Sequence, residues 1–148
     1  MKIRLATKFD MPEILDMLRN YRDSGLIPGV HDIQDVDTPI RILTYILAGG
    51  GLAYVSQKDK QLTGMILAIK SPYLWDNKKF VMNEIVYWVE KNHRGTTSGY
   101  RLLTEYKNAC QTLKDNNLII SYTLSQMEGQ YLNYSRFGFR PIESTWSI

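Results

Sequence analysis

Arg94-Gly95-Thr96-Thr97-Ser98-Gly99-Tyr100-Arg101-Leu102-Leu103 follows the apolar run Ile85-Val86-Tyr87-Trp88-Val89 and leads into an amphipathic stretch. In order, these are a strand, a loop of glycines and small hydroxyl residues, and a helix start. The first turn of a helix carries N–H groups with no carbonyl to bond and a partial positive charge. A loop of small residues lets an anion approach those groups, and Arg94 adds a full charge beside them. A phosphate ester is the natural occupant.

Downstream of this loop, Leu102, Leu103, Tyr106, Ala109, Cys110 and Leu113 share one helical face, while Arg101, Lys107, Asn108, Gln111 and Lys114 share the other. Asp115-Asn116-Asn117 ends the helix, and residues 118–124 read as a buried strand. A short helix is expected over 128–136 and a final strand, or pair of short strands, over 139–148. Upstream, residues 2–6 alternate as a strand. Asp10 with Glu13 forms a capping-box pattern ahead of a helix whose stripe is Met11, Ile14, Leu15 and Leu18. Residues 25–37 read as a loop. Thr38-Pro39 opens a second helix, with proline where its missing N–H costs nothing, and Gly49-Gly50-Gly51 stops it. Strands at 52–57 and 62–70 flank the hairpin turn Lys58-Asp59-Lys60-Gln61. Residues 71–79 read as a loop and 80–90 as a long strand. A strand–helix–strand unit in the second half implies a parallel pair with a right-handed crossover.

Composition narrows the class. The chain has 148 residues, enough for one domain spanning 1–148. Hydrophobic residues make up 44% and charged residues 22%, the balance of a soluble globular protein. No apolar run reaches the roughly 18–20 residues of a membrane span, and the start is too short and alternating for a signal peptide. A single cysteine excludes an internal disulfide framework and points to a cytoplasmic protein. One cysteine and two histidines leave little for zinc, and no metal is expected. The net charge of +3, without a dense basic block, does not indicate a nucleic-acid partner.

The order of elements, the loop at 94–99, the late segment Tyr134-Ser135-Arg136-Phe137-Gly138-Phe139-Arg140-Pro141 and the opening Ile3-Arg4-Leu5-Ala6-Thr7 resemble the GCN5-related N-acetyltransferases over essentially the whole chain. The Arg-Gly-x-x-x-Gly-Tyr-Arg-Leu-Leu wording is most similar to phage-encoded members. The resemblance implies an α/β (α+β) fold: a mixed, mostly antiparallel sheet of six to seven strands, helices on both faces, and strands 4 and 5 splayed apart. It implies acetyl-CoA as acyl donor, coenzyme A as product, and an amine acceptor, small molecule or protein, in a monomer or homodimer. The family loop reads Arg/Gln-x-x-Gly-x-Gly/Ala. Arg94 and Gly99 fill its ends, while Thr97 stands where the middle glycine belongs. A Cβ there crowds a pyrophosphate and disfavours positive φ, whereas the hydroxyl is an alternative donor to a phosphate oxygen, and because the amides survive the change coenzyme A binding is expected to persist.

By the same resemblance, Arg94, Gly95, Thr96, Thr97, Ser98, Gly99 and Tyr100 hold the pyrophosphate, and Val89 offers main-chain groups to the pantetheine arm. A bulge in that strand aims an amide at the thioester carbonyl, where a fixed N–H stabilises the tetrahedral oxyanion. Ser98 reads as a phosphate contact, as the N-cap of the helix, or as both. Tyr134 aligns with the tyrosine that protonates the departing thiolate, with Tyr131 as the alternative register. Glu84, a carboxylate in an apolar strand, is the candidate base for the amine, or the group that orders a water for that purpose. A salt bridge or an ammonium clamp is the competing reading.

His93 reads as solvent-facing or as part of the phosphate rim. His31 and Asp32 read as a solvated loop or an acceptor wall, as do Tyr73 and Trp75. Cys110 reads as core. Gln126 and Met127 do not match the cofactor-contacting asparagine of the family. The competing function is a non-catalytic acyl-CoA-binding module, which the Thr97 departure favours. A P-loop hydrolase is set aside because the loop lacks the Gly-Lys-Ser/Thr ending.

Overall fold

The computed structural model describes residues 1–25, 35–126 and 132–146. One sheet runs in the order β1 (Lys2–Leu5), β2 (Gly51–Lys58), β3 (Gln61–Tyr73), β4 (Asp76–Val89), β5 (Ser121–Thr123). The first three pairings are antiparallel and β4 pairs β5 in parallel. Helices α1 (Met11–Asp23) and α2 (Asp37–Tyr45) lie between β1 and β2 in sequence, and α3 (Ser98–Asp115) makes the crossover from β4 to β5.

Strand alternation sends side chains to opposite faces, and each face is closed by helices. Met65 and Leu67 of β3, with Val86 and Trp88 of β4, pack with Ile14 and Met17 of α1 and Leu43 of α2. Ile66 and Ala68 of β3, with Met82 and Tyr87 of β4, pack with Leu102, Leu103, Tyr106 and Cys110 of α3. Within β4 the even-numbered Met82 faces α3, whereas the even-numbered Val86 and Trp88 face α1 and α2. The exchange comes from a bulge: Leu67 pairs with Val86 but Ala68 pairs with Glu84, so Ile85 is an extra residue.

Several expectations change here. The described residues form five strands, not six to seven. Residues 139–146 form no strand. Pro141 lacks an N–H for a ladder, and the three-residue β5 offers a neighbouring strand little edge to pair with. The strand expected over 118–124 shrinks to Ser121–Thr123. The loop expected at 71–79 is instead the tip of a long hairpin, since β3 runs to Tyr73 and β4 begins at Asp76. This leaves Leu74 and Trp75 exposed at its turn. Of the expected helix at 128–136, the described part is a short 3-10 turn, Tyr134–Phe137. His31, Asp32, Met127 and Tyr131 lie outside the described residues.

The capping box also forms one turn early. Asp10 accepts the Thr7 N–H at 2.7 Å while the Thr7 side chain accepts from Phe9. Asp10 is held by both Nη atoms of Arg4 at 2.8 Å, and this pairing keeps its carboxyl below the usual range. Glu13, expected as the box partner, accepts the Leu62 N–H at 3.0 Å. The β2–β3 turn is as expected, with Asp59 and Lys60 both at positive φ, the type I′ geometry that matches strand twist.

Gly51 begins β2 where α2 and its π-turn extension (Ile46–Gly50) meet the sheet. A Cβ on Gly51 would lie 1.9 Å from the carbonyl oxygen of Ala68 in β3. Gly51→Ala must therefore push β2 from β3, and we expect it to lower the unfolding free energy by about 2 kcal/mol or more. Urea denaturation of the variant beside the parent chain measures this directly.

Candidate active site

The β4–β5 ladder holds only three pairs, Val81 with Ser121, Met82 with Tyr122 and Asn83 with Thr123. Past Asn83, β4 continues through the bulge to Val89 with no strand beside it on that side among the described residues. This is the parting of strands 4 and 5 that the sequence resemblance implies. Glu84 sits at the point where pairing stops. Its carboxylate accepts the main-chain N–H of Ser125 at 2.9 Å, in place of a ladder carbonyl. The side chain is almost fully buried. Burial pushes its pKa from 4.5 up to about 7, and the Ser125 bond offsets part of that rise.

Tyr134 reaches the same residue from the far side of the opening. Its hydroxyl donates to the carbonyl of Ser125 at 3.2 Å. Burial raises its pKa above the ordinary phenol value, and the nearby charge of Glu84 raises it further. Its ring packs against Phe139. Ser125 thus has its N–H on Glu84 and its carbonyl on Tyr134, so the two candidate catalytic groups share one peptide residue as a spacer.

At the other end of β4 lies the glycine loop. The first N–H in the α3 ladder is that of Arg101, which donates to Thr97 O at 2.9 Å. The amides ahead of it belong to the helix start. Positive φ falls on Gly95, at 79°, not on Thr97, which rests at φ −80° and ψ 0°. The departure from glycine at 97 therefore brings no backbone strain. Thr97, and not Ser98, is the N-cap, and its side chain makes no capping bond. The Thr96 hydroxyl takes up that work, donating to His93 O at 2.6 Å and accepting from the Ser98 N–H at 3.3 Å. Ser98 is buried, with its hydroxyl against the sulfur of Met1.

Arg94 does not project freely. Its guanidinium lies 4.5 Å over the Trp88 ring, and its Nε donates to Val89 O at 3.0 Å. Two expected ligand-binding groups, the Arg94 side chain and the Val89 carbonyl, are bonded to each other. Tyr100 is exposed, with its ring 5.1 Å from that of Phe137. Cys110 is fully buried, and burial pushes its thiol up to about 12, which suits core packing and not nucleophilic work.

Sequence reasoning passed over three residues. Tyr87 has a buried phenol whose hydroxyl donates to the carbonyl of Gly99, tying β4 to the first turn of α3. A side chain on Gly99 would begin 3.1 Å from that oxygen. Ser125 carries its role in the main chain, which no side-chain motif reveals. Tyr21 stands edge-on to Trp88 and lines an apolar cavity beside the bulge. The helical spacing of Leu18 and Tyr21 was the available signal for the last.

No protein-family model matches the chain, and no curated protein matches it by sequence. Solved structures do match. A predicted acetyltransferase with acetyl-CoA from Clostridium acetobutylicum superposes with a TM-score of 0.72 at 17% identity, covering 99% of this chain and 94% of its own. Glucosamine-6-phosphate N-acetyltransferase from Arabidopsis thaliana gives a TM-score of 0.72 at 13% identity, covering 99% and 96%. A transcriptional regulator from Bacillus halodurans gives 0.68 at 17%, covering 99% and 97%. Identities this low establish architecture and not activity. The sheet parted beyond Asn83, the bulge at Ile85 and the glycine loop entering α3 together have the fold of the GCN5-related N-acetyltransferases.

Proposed function

We propose that this chain is an acyl-CoA-dependent N-acyltransferase that moves an acetyl group from acetyl-CoA to a primary amine within a ternary complex. The observation that carries this reading is the buried Glu84 carboxylate at the mouth of the parted strands, joined through Ser125 to Tyr134. A structural role alone gives little reason to keep a costly desolvated carboxylate at that point.

In this reading the thioester lies in the opening between β4 and β5, with its pyrophosphate at the helix start of residues 94–100. The amine nitrogen attacks the carbonyl carbon, the C–N bond forms, and the oxyanion is held by a β4 amide at the bulge. Glu84, directly or through a water, takes the proton from the ammonium. The C–S bond then breaks and the thiolate receives a proton from Tyr134. The order matters. A coenzyme A thiolate is a weaker base than a phenolate whose pKa lies above 10, so the transfer is uphill while Glu84 is charged. Once Glu84 has been neutralised by the amine proton, burial still raises the phenol but the added charge effect is gone, and Tyr134 becomes a better acid when the thiolate needs it.

Arg94 and Val89 act as a pair in the same scheme. A phosphate drawing Arg94 away releases the Val89 carbonyl to accept from a pantetheine amide. Thr97 rests in an ordinary backbone region, which removes the backbone-strain part of the case for a non-catalytic module. Calorimetry with acetyl-CoA followed by thiol release over a panel of amines separates the two functions. Binding without turnover on any amine would establish the module.

Three variants test this scheme. Tyr134→Phe should lower kcat by about 100-fold and leave the Kd for acetyl-CoA within about twofold. An unchanged kcat removes Tyr134 from the mechanism. Arg94→Ala should weaken acetyl-CoA binding by about tenfold, the worth of a charge-assisted hydrogen bond to phosphate, as read by calorimetry. Glu84→Gln should lose the rise in kcat/KM that the parent shows as pH passes about 7, where the base ionises. The same variant should gain stability. The native Glu84 binds its proton more tightly than the unfolded one, so its contribution falls as pH rises from 4.5 to about 7. The rise from 4.5 to about 7 corresponds to about 3 kcal/mol, so urea titrations at pH 8 should find Glu84→Gln more stable than the parent by roughly that amount.

A further inference from the structure

The β4–β5 ladder ends at the pair Asn83 and Thr123, and side chains secure that last pair from both faces of the sheet. The Thr123 hydroxyl donates to the side-chain oxygen of Asn83 at 2.7 Å. Asn83 pairs on its other side with Ile69, which packs on the α1 and α2 face. From the opposite face, the hydroxyl of Tyr106 in α3 donates to the Thr123 carbonyl at 2.8 Å. Tyr106 is fully buried. Burial raises its phenol pKa far above the ordinary value, so the group keeps its proton and serves as a donor. A phenylalanine would fill the same space without burying a hydroxyl. The Thr123 carbonyl is the acceptor that satisfies this one.

Beyond Thr123 the chain leaves the ladder, and two residues later Ser125 bonds both Glu84 and Tyr134. Two residues span at most about 7 Å, so a fixed Thr123 confines Ser125 to the mouth of the opening. We propose that Tyr106 and Thr123 are positioning residues: with Asn83 they form a brace that sets where the strands part and holds Ser125 between Glu84 and Tyr134. Neither side chain bonds Glu84 or Tyr134, and both act through the main chain of β5. The catalytic consequence rests on the acyl-transfer reading above, while the brace is measurable without substrate. Loosening it would admit water to Glu84. Burial is the larger of the two effects on that carboxyl, so its pKa should fall even as the Ser125 bond weakens. Among the described residues, the phenols of Tyr21, Tyr87, Tyr106 and Tyr134 feel its charge. Burial raises all four above the ordinary phenol value, so the carboxyl titrates alone near neutral pH.

Tyr106→Phe and Thr123→Val each remove one bond at nearly constant volume, and Thr123→Ser keeps the hydroxyl. By amide hydrogen exchange, the Ser125 N–H should exchange about tenfold faster in the first two variants, with Val55 and Met65 of the β2–β3 ladder unchanged and Thr123→Ser like the parent. Carbon-13 NMR titration of the Glu84 carboxyl, without substrate, should give a pKa below the parent's value of about 7 in the same two variants. In thiol release, their kcat should fall about tenfold while the Kd for acetyl-CoA holds, and Thr123→Ser should restore kcat. An unchanged Ser125 amide and an unchanged Glu84 titration in folded Tyr106→Phe and Thr123→Val overturn the brace. Faster exchange with kcat unchanged, or a Thr123→Ser as slow as Thr123→Val, overturns the positioning role. Faster exchange and a lowered Glu84 pKa, when the parent turns over no amine, uphold the brace and refute acyl transfer.

Discussion

The hydrogen bond from the Ser125 N–H to the Glu84 carboxylate stands at the place where the sheet comes apart. A parallel ladder that stops after three pairs leaves main-chain groups on both strands needing partners. On the β5 side a side chain supplies one. The carboxylate thus ends the ladder and marks the edge of the opening, and the same desolvation that makes this costly lifts its pKa into the range of a useful base. One residue carries a structural task and a chemical potential that conflict, since a neutral amide would end the ladder with less cost and no basicity.

The bulge at Ile85 determines which layer each β4 side chain beyond it faces. Without the extra residue, β4 would keep one alternation throughout, and Val86 and Trp88 would face α3 with Met82. With it, the half of β4 beyond the bulge turns Trp88 toward α1, where it meets Tyr21, and turns Tyr87 toward α3, where its hydroxyl fixes Gly99. The cavity wall and the tether on the glycine loop are therefore two results of a single inserted residue. The positive φ of the loop falls on Gly95, which adopts it without a Cβ clash, while Thr97 rests in the ordinary α region and Tyr87 ties the helix start to the sheet.

Much of this was legible. The stripes of α1 and α3, the turn at Asp59-Lys60 and the strand–loop–helix order around 94–99 follow from periodicity and turn chemistry, because in those places local preference and tertiary packing agree. Glu84 stood out because a carboxylate amid Met82, Ile85 and Val86 demands a reason. The errors have causes of the same kind. The hairpin tip at Leu74-Trp75 reads as a loop because Pro72 and a run of polar residues hide two strands that extend beyond β2. The bulge is invisible because Ile85-Val86-Tyr87-Trp88-Val89 is apolar at every position, so an alternation that changes phase leaves no trace. The partnership of Arg94 with Val89 is also hidden, since it joins a side chain to a carbonyl five residues back. Ser125 acts only through its peptide groups, which every residue type shares.

The link between Glu84 and Tyr134 has a consequence for how such a site keeps time. Two groups of high pKa at one opening, both protonated, would hold no base. Both ionised, they would hold no acid and would repel each other across Ser125. The buried surroundings make double ionisation the costly state, because the charge of Glu84 opposes that of Tyr134. Burial, with a smaller contribution from the charge of Glu84, holds the Tyr134 phenol protonated. In the proposed reaction, an amine proton moved onto Glu84 would remove the smaller of the two effects that hold the Tyr134 proton. The peptide of Ser125, bonded to both side chains, fixes the separation between them.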